Sequence, residues 1–146
     1  MSTPHEGSAR NVEMPASECL GLLGSVDVGR IAWAHDGAAR ILPVNHRVLN
    51  GQVVIRTGAN SVLATQAVGT AVAFEVDNVD FWRLTGWSVV VNGICRAVDD
   101  ERIRNQATES LTTWVEGAKA TVLTIDPTSI TGRRLTPGPL PEEDLR

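Results

Sequence analysis

Short apolar runs punctuated by turn signals dominate the chain. Gly29 to Ala34 has strand character and runs into His35-Asp36-Gly37, a strong hairpin signal. Arg40 to Val48 follows with Pro43 inside it. Proline has no N–H to give to a ladder, so Pro43 predicts a sheet edge or a bulge. Asn50-Gly51 is a second hairpin turn, and Gln52 to Arg56 completes a predicted antiparallel meander of three strands. Further strands are predicted at Ala71 to Val76, at Trp87 to Val98, at Ala120 to Ile125 before Asp126-Pro127 and, as a short addition, at Ser129 to Leu135. Asn78 to Thr85 reads as a loop holding Phe81, Trp82 and Arg83.

Three stretches carry helical spacing instead. Ser17 is the expected N-cap of a short helix through Glu18, Cys19, Leu20, Leu22 and Leu23, whose apolar positions share one face. Residues 61–69 read as a second helix capped by Ser61. Asp99 to Trp114 reads as a third, with Ile103, Ala107 and Leu111 on one face and acids in its first turn. Residues 1–14 are polar and carry Pro4, Gly7 and Ser8, which predicts a flexible N-terminal arm; 15–135 form the domain; 136–146, with Pro137, Pro139 and Pro141, form an irregular tail. Six or seven mostly antiparallel strands with two or three inserted helices make the chain mainly β and predict a closed barrel with a few helices. No βαβ unit, dinucleotide glycine fingerprint, internal repeat or coiled-coil heptad is present.

At 146 residues the chain is one domain with room for a real core. Its net charge of −4 and single lysine, Lys119, make nucleic acid a poor partner, although twelve arginines remain. Cys19 and Cys95 are too few for a disulfide framework or a zinc site, and neither is flanked by a recognisable general base. His5, His35 and His46 lack metal-ligand spacing, so no metal is expected. With no signal peptide and no long apolar run, a cytoplasmic protein without a membrane role is expected. Richness in Ala, Gly, Val and Arg suits a high-GC bacterium. Glu75 and Asp77 project from one strand face with no identifiable partner acid.

The candidate chemistry lies at Arg56-Thr57-Gly58-Ala59-Asn60-Ser61-Val62-Leu63. An apolar strand runs into a basic residue, a small turn and a helix start. A guanidinium supplies charge and paired donors to a phosphate, and the first N–H groups of a helix supply more. The alternative is a strand end and a helix cap that bind nothing. The stretch resembles the cofactor-phosphate site of the pyridoxamine 5'-phosphate oxidase-like flavoproteins, which usually read Arg-Thr-Gly, two variable residues, Ser-Lys-Leu. Val62 stands where that lysine would be. Glu18-Cys19-Leu20, Val28-Gly29-Arg30, Ile41 to Asn45, Val72 to Asp77 and Gly86 to Val91 extend the resemblance over roughly residues 15–135.

The resemblance implies a split β-barrel of the FMN-binding type, paired as a homodimer with a flavin in each of two interface clefts. It implies an FMN-binding oxidoreductase passing hydride through the flavin to a small-molecule substrate. The cofactor-binding residues it implies are Arg56, Thr57, Ser61 and Val62 at the phosphate and Pro43, Val44, Asn45, Trp87 and Ser88 at the ring. The other readings of Asn45 and Trp87 are a polar residue stabilising the bend after Pro43 and a filler of the dimer core. Arg40, Arg47 and Arg83 are candidates to replace the missing lysine. No catalytic residue is identified; His46, where the family often has tyrosine, is a secondary candidate against an exposed strand histidine. Trp33, Trp82 and Trp114 read as packing or interface residues. True pyridoxamine 5'-phosphate oxidases carry an Arg-x-His motif near the C-terminus. Gly132-Arg133-Arg134-Leu135 is followed by no histidine, so that vitamin-forming activity is not expected. A deazaflavin-dependent reductase on the same fold, with Arg133 joining a basic groove, and a cofactor-free binding or regulatory barrel are the alternatives; haem ranks behind FMN and deazaflavin as cofactor.

Overall fold

The structure, a computed structural model, describes residues 9–111 and 120–137. Seven strands run in chain order as β1 (Ala9–Glu13), β2 (Val28–His35), β3 (Ala38–Leu49), β4 (Gln52–Gly58), β5 (Ala71–Asp80), β6 (Thr85–Ala97) and β7 (Ala120–Pro137). Three helices are inserted: α1 (Ala16–Leu23), α2 (Val62–Gln66) and α3 (Glu101–Ser110). Every pairing is antiparallel. The order β7-β4-β3-β2-β5-β6 closes on itself because β6 also pairs with β7, and β1 flanks the ring outside β7.

The two sharp turns of the meander follow their residue types. Asp36 and Gly37 have φ of 50° and 75°, and Asn50 and Gly51 have φ of 52° and 74°. Two successive positive φ values match the right-handed twist of the strands they join. The third hairpin is tighter than the sequence predicts. β5 and β6 remain paired to Asp80 and Thr85, leaving only residues 81–84 as loop where the pattern suggested Asn78 to Thr85. The Asp80 carboxylate accepts from the Trp82 and Arg83 N–H groups, which holds that loop.

Residues 9–13, read from sequence as part of a flexible arm, pair with Arg133 to Pro137 of β7 as β1. Residues 1–8 of that arm lie outside the described residues, as do 138–146 of the tail with Pro139 and Pro141. The two predicted C-terminal strands are one. β7 passes through Asp126-Pro127 by a bulge, since Asn92 faces Ser129 while Gly93 faces Pro127. The extra residue absorbs the proline without ending the strand.

Alternation along β2 and β5 sends Ile31, Trp33, Val72, Phe74 and Val76 inward, where they meet Val53, Ile55, Val89, Val91 and Ile125. α1 covers this core with Cys19 and Leu23. Pro15, not Ser17, is its N-cap, and the Pro15 carbonyl accepts from Glu18 and Cys19. α2 is capped by Ser61 as expected but stops at Gln66, short of the predicted residue 69. α3 packs Ala107 and Leu111 on the outer face of the barrel against Val54 and Val122. The part of the predicted third helix from 112 to Trp114 lies outside the described residues. Among the described residues, no helix is long and apolar enough to cross a membrane.

Gly93 tests the bulge. A Cβ there would stand 2.1 Å from the Asp126 carbonyl oxygen, a backbone atom that cannot swing away. Gly93→Ala should therefore destabilise the fold by about 1–3 kcal/mol, the usual range of overpacking. A urea midpoint unchanged from the native chain would refute this account of the β6–β7 contact.

Candidate functional site

The β3–β4 ladder is short. It runs only from Leu49↔Gln52 to His46↔Ile55. Beyond that pair the strands part: Asn45 back to Ala38 pairs with β2, while Arg56 to Gly58 pairs with β7. Pro43 lies in the stretch paired on one edge, which meets the sheet-edge expectation. The gap holds a recess of about 320 Å³. Leu42, Pro43, Val44 and Asn45 line it from β3, and Arg56, Thr57 and Gly58 from β4. Ser61, Val62 and Leu63 close one end after a turn in which Ser61 N–H donates to the Gly58 carbonyl.

The polar groups of this recess are tied to one another. Thr57 Oγ1 donates to Ser61 Oγ at 2.9 Å, and Ser61 Oγ accepts from Ala64 N–H at 3.0 Å. With both acceptor sites engaged, the Ser61 hydroxyl proton is left pointing elsewhere, as a donor. Arg56 Nη1 donates to the Leu111 carbonyl at the end of α3, at 2.9 Å. Its Nε–H is buried with no acceptor among the described residues. Val62 is half exposed on the rim.

Seven of the nine residues expected at a cofactor share this recess: Pro43, Val44, Asn45, Arg56, Thr57, Ser61 and Val62. Trp87 does not. It stands with Asp80, Gly86 and Arg134 on a separate cleft of about 370 Å³ where the β5–β6 hairpin meets β7. Ser88 is its neighbour on β6, paired with Asp77 and Arg133. Leu42, Gly58 and Leu63 join the lining without having been expected. Leu42 was legible as an apolar residue beside an edge proline, whereas the Leu111 carbonyl that anchors Arg56 left no sequence signal.

The arginines considered as replacements for the lysine separate clearly. Arg47 bonds Asp27 at 2.9 Å and lines a neighbouring recess with Asn45. Arg83 pairs with Asp80 at the β5–β6 hairpin, and Arg40 opens β3 opposite Trp33. Arg133, expected in a deazaflavin groove, pairs with Glu13 of β1. Trp33 is buried and donates from Nε1 to Gln66 at 3.0 Å, steadying the short α2. Trp82 is 97% exposed and packs against nothing among the described residues. Trp114 lies outside the described residues.

His46 is neither exposed nor in the recess. Only 1% of it is accessible, and its ring meets Phe74 edge-on at 4.8 Å. Nε2 lies 2.7 Å from the Leu23 carbonyl and must carry the proton to bond it, while Nδ1 has no partner among the described residues. Alternation explains the correction: Asn45 faces the gap, so its successor turns into the core. Burial holds the imidazole below 6.5; the Leu23 bond opposes that shift and Arg47 reinforces it. A residue held neutral in the core cannot reach a substrate, so His46 is a structural residue.

Outside the recess, Arg30 Nη1 bridges Glu75 and Asp77, each at 3.2 Å. Partial burial, with the Asp77 carboxylate adding to it, pushes Glu75 up to about 7. Cys19 and Cys95 are both free and buried, and burial pushes Cys95 up to about 11, so neither is a ready nucleophile. Among the described residues no three His, Cys, Asp or Glu side chains converge as a metal site.

The two displaced groups act on stability with opposite signs. His46 binds its proton less readily folded than unfolded, so its contribution is complete above 6.5 and is lost as pH falls below that value. His46→Gln keeps a donor for Leu23 without titrating; the stability gap between native chain and variant should shrink from pH 7.5 to pH 5. Glu75 holds its proton more readily folded, so its ionisation costs stability as pH rises from 4.5 to about 7. Glu75→Gln should gain on the native chain over that interval, read as a melting temperature a few degrees higher at pH 8. A gap independent of pH in either comparison would contradict the corresponding burial.

The comparisons with known proteins give the family of the chain. The family model described as pyridoxamine 5'-phosphate oxidase matches residues 15–134. An uncharacterized protein of Mycobacterium tuberculosis is 39% identical over 134 residues, 88% of each chain. The solved structure of a FAD binding protein from Mycobacterium smegmatis is 38% identical with a TM-score of 0.77, covering 87% of this chain and 100% of that one. A provisionally described pyridoxamine 5'-phosphate oxidase from Corynebacterium glutamicum is 30% identical with a TM-score of 0.72, covering 95% and 99%. The architecture is the split barrel of these proteins, and the chain belongs to the pyridoxamine 5'-phosphate oxidase-like family.

Proposed function

We propose that the recess between β3 and β4 binds a flavin and that the protein is a flavin-dependent oxidoreductase acting on a small molecule. The observation that carries this reading is the convergence on one recess of an apolar wall and an anion grip. Leu42, Pro43 and Val44 offer a surface for a flat ring, and Arg56, Thr57 and Ser61 offer donors to a phosphate. The grip is short of acceptors: Arg56 Nε–H is buried without one among the described residues, and a small rotation of the guanidinium toward an anion would relieve that cost. The recess volume of 320 Å³ lies at the lower end of small-molecule sites, roughly 300–1,000 Å³. The relative described as a FAD binding protein supports a flavin and makes FAD a cofactor to test beside FMN and deazaflavin.

When bound, the flavin supplies the hydride chemistry. This chain's residues bind and orient it. Arg56 neutralises phosphate charge, Thr57 fixes the Ser61 hydroxyl, and the β3 wall keeps water from one face of the ring. Trp87 lines another cleft of the same chain and Ser88 follows it on β6, so the homodimer implied by the family resemblance is kept as part of this proposal, with these two residues reaching the ring from the second copy. The absence of an Arg-x-His motif argues against pyridoxamine 5'-phosphate as substrate.

Two variants test the grip by flavin fluorescence titration. Arg56→Ala should weaken binding roughly tenfold to a hundredfold while costing about 1 kcal/mol of stability through the lost Leu111 bond. Val62→Lys, on the half-exposed rim, should strengthen binding by a similar factor. Native affinity in both variants would reject the site, and a chain indifferent to every flavin would favour the cofactor-free barrel.

A further inference from the structure

The most exposed aromatic side chains among the described residues stand together at the tip of the β5–β6 hairpin, where Phe81 is 80% exposed and Trp82 97%. Large apolar groups held in water carry a cost that a partner surface removes. The tip is also rigid. The Asp80 carboxylate accepts from the Trp82 and Arg83 N–H groups at 3.0 and 3.1 Å and pairs with the Arg83 guanidinium at 3.7 Å. Leu84 holds a φ of 53°, which a bulky residue adopts only where its surroundings enforce it. The aromatics are thus displayed in a fixed arrangement beside a self-neutralised ion pair, and docking has little left to order.

A matching surface lies on the rim of the β3–β4 recess. Leu42 and Val62 line that recess and are exposed, and Ile41, next to Leu42 on β3, is exposed as well. Within one chain the two surfaces cannot meet. Pro43 of the recess is level with Arg30 of β2, and Arg30 is level with Glu75 of β5. From there β5 runs on to Asp80, which carries the hairpin roughly 17 Å beyond that level, with β2 standing between. Val28 on β2 and Val79 on β5 are exposed in the intervening wall.

A second copy of the chain satisfies both surfaces. A twofold axis perpendicular to the strands reverses their direction, so it brings the hairpin of each copy toward the recess of the other and makes the same contact twice. The four aromatics of such a pair, each burying roughly 150–250 Å² against a like area of rim, amount to roughly 1,200–2,000 Å², the size of a stable interface. Asp80 at the base of the hairpin lines the same cleft as Trp87, so this contact is continuous with the one proposed for Trp87.

We propose that the β5–β6 hairpin of one copy seats Phe81 and Trp82 on the recess rim of its partner, against Ile41, Leu42 and Val62, and covers the side of the recess that a single chain leaves open. This rests on the proposed homodimer.

The test begins with sedimentation equilibrium of the native chain and of the double variant Phe81→Ser, Trp82→Ser, both free of flavin. Both positions are at the surface, so the variant should melt at the native temperature. The native chain should be dimeric at micromolar concentration, and the variant should dissociate roughly tenfold or more readily, as when buried interface anchors are removed. The second step locates the contact. Chains carrying Arg83→Cys are mixed with chains carrying Asn60→Cys, exposed positions beside the hairpin aromatics and the rim, and treated with a short bis-maleimide. Cys19 and Cys95 are buried and do not compete. The mixture should give a covalent dimer that neither variant gives alone. A native chain that stays monomeric would overturn this inference and the homodimer together, and would give the hairpin to another partner. A dimer indifferent to the double variant, or a mixture that does not link, would overturn this inference and leave the homodimer standing. A linked dimer that binds no flavin would uphold this inference and overturn the flavin reading alone.

Discussion

The parting of β3 from β4 after the His46–Ile55 pair is the constraint on which the rest depends. Two neighbouring strands that stay paired leave no room between them. Two that part must each find another partner on the far side, or expose a row of unpaired backbone groups. β2 takes the freed half of β3, and β7 takes the freed end of β4. The barrel stays closed because β7 also reaches β6 along most of its length. The opening is thus a defect that the sheet absorbs, and the candidate residues collect there because it is where backbone and side chains face a solvent-filled gap.

Much of this was legible in sequence because it rests on local rules. Asp36-Gly37 and Asn50-Gly51 dictate their hairpins through positive φ, and Ser61 caps α2 by a bond three residues long in sequence. Pro43 marked the strand that runs along an edge. Seven of the candidate site residues, four in the phosphate-grip motif and three placed by the family resemblance alone, line one recess. What escaped was non-local. β1 forms only because β7 offers it an edge, and the bulge facing Gly93 carries β7 through a proline that reads as a stop. The direction of His46 depended on which face of β3 meets the core, a choice made by Phe74 and Leu23 rather than by its own neighbours.

Arg56 joins two jobs that are usually separate. One nitrogen holds the end of α3, and the group as a whole faces the recess. Under the proposed function packing and binding would be coupled through a single side chain: a shift of the guanidinium toward an anion would change its bond to the end of the helix. The small outer core of Val54, Ala107, Leu111 and Val122 sets how far that end can move.

The strand that closes the ring is also the last of the seven to be synthesised. Until residues up to Pro137 have left the ribosome, β4 lacks one neighbour, β6 lacks another, and β1 has no partner at all. Sheet pairings this distant in sequence form slowly and only after the chain is long enough to make them. The recess wall carrying Arg56 and Thr57 is consequently unsupported during translation. Any ligand of this recess must be acquired by the finished barrel, not by the growing chain.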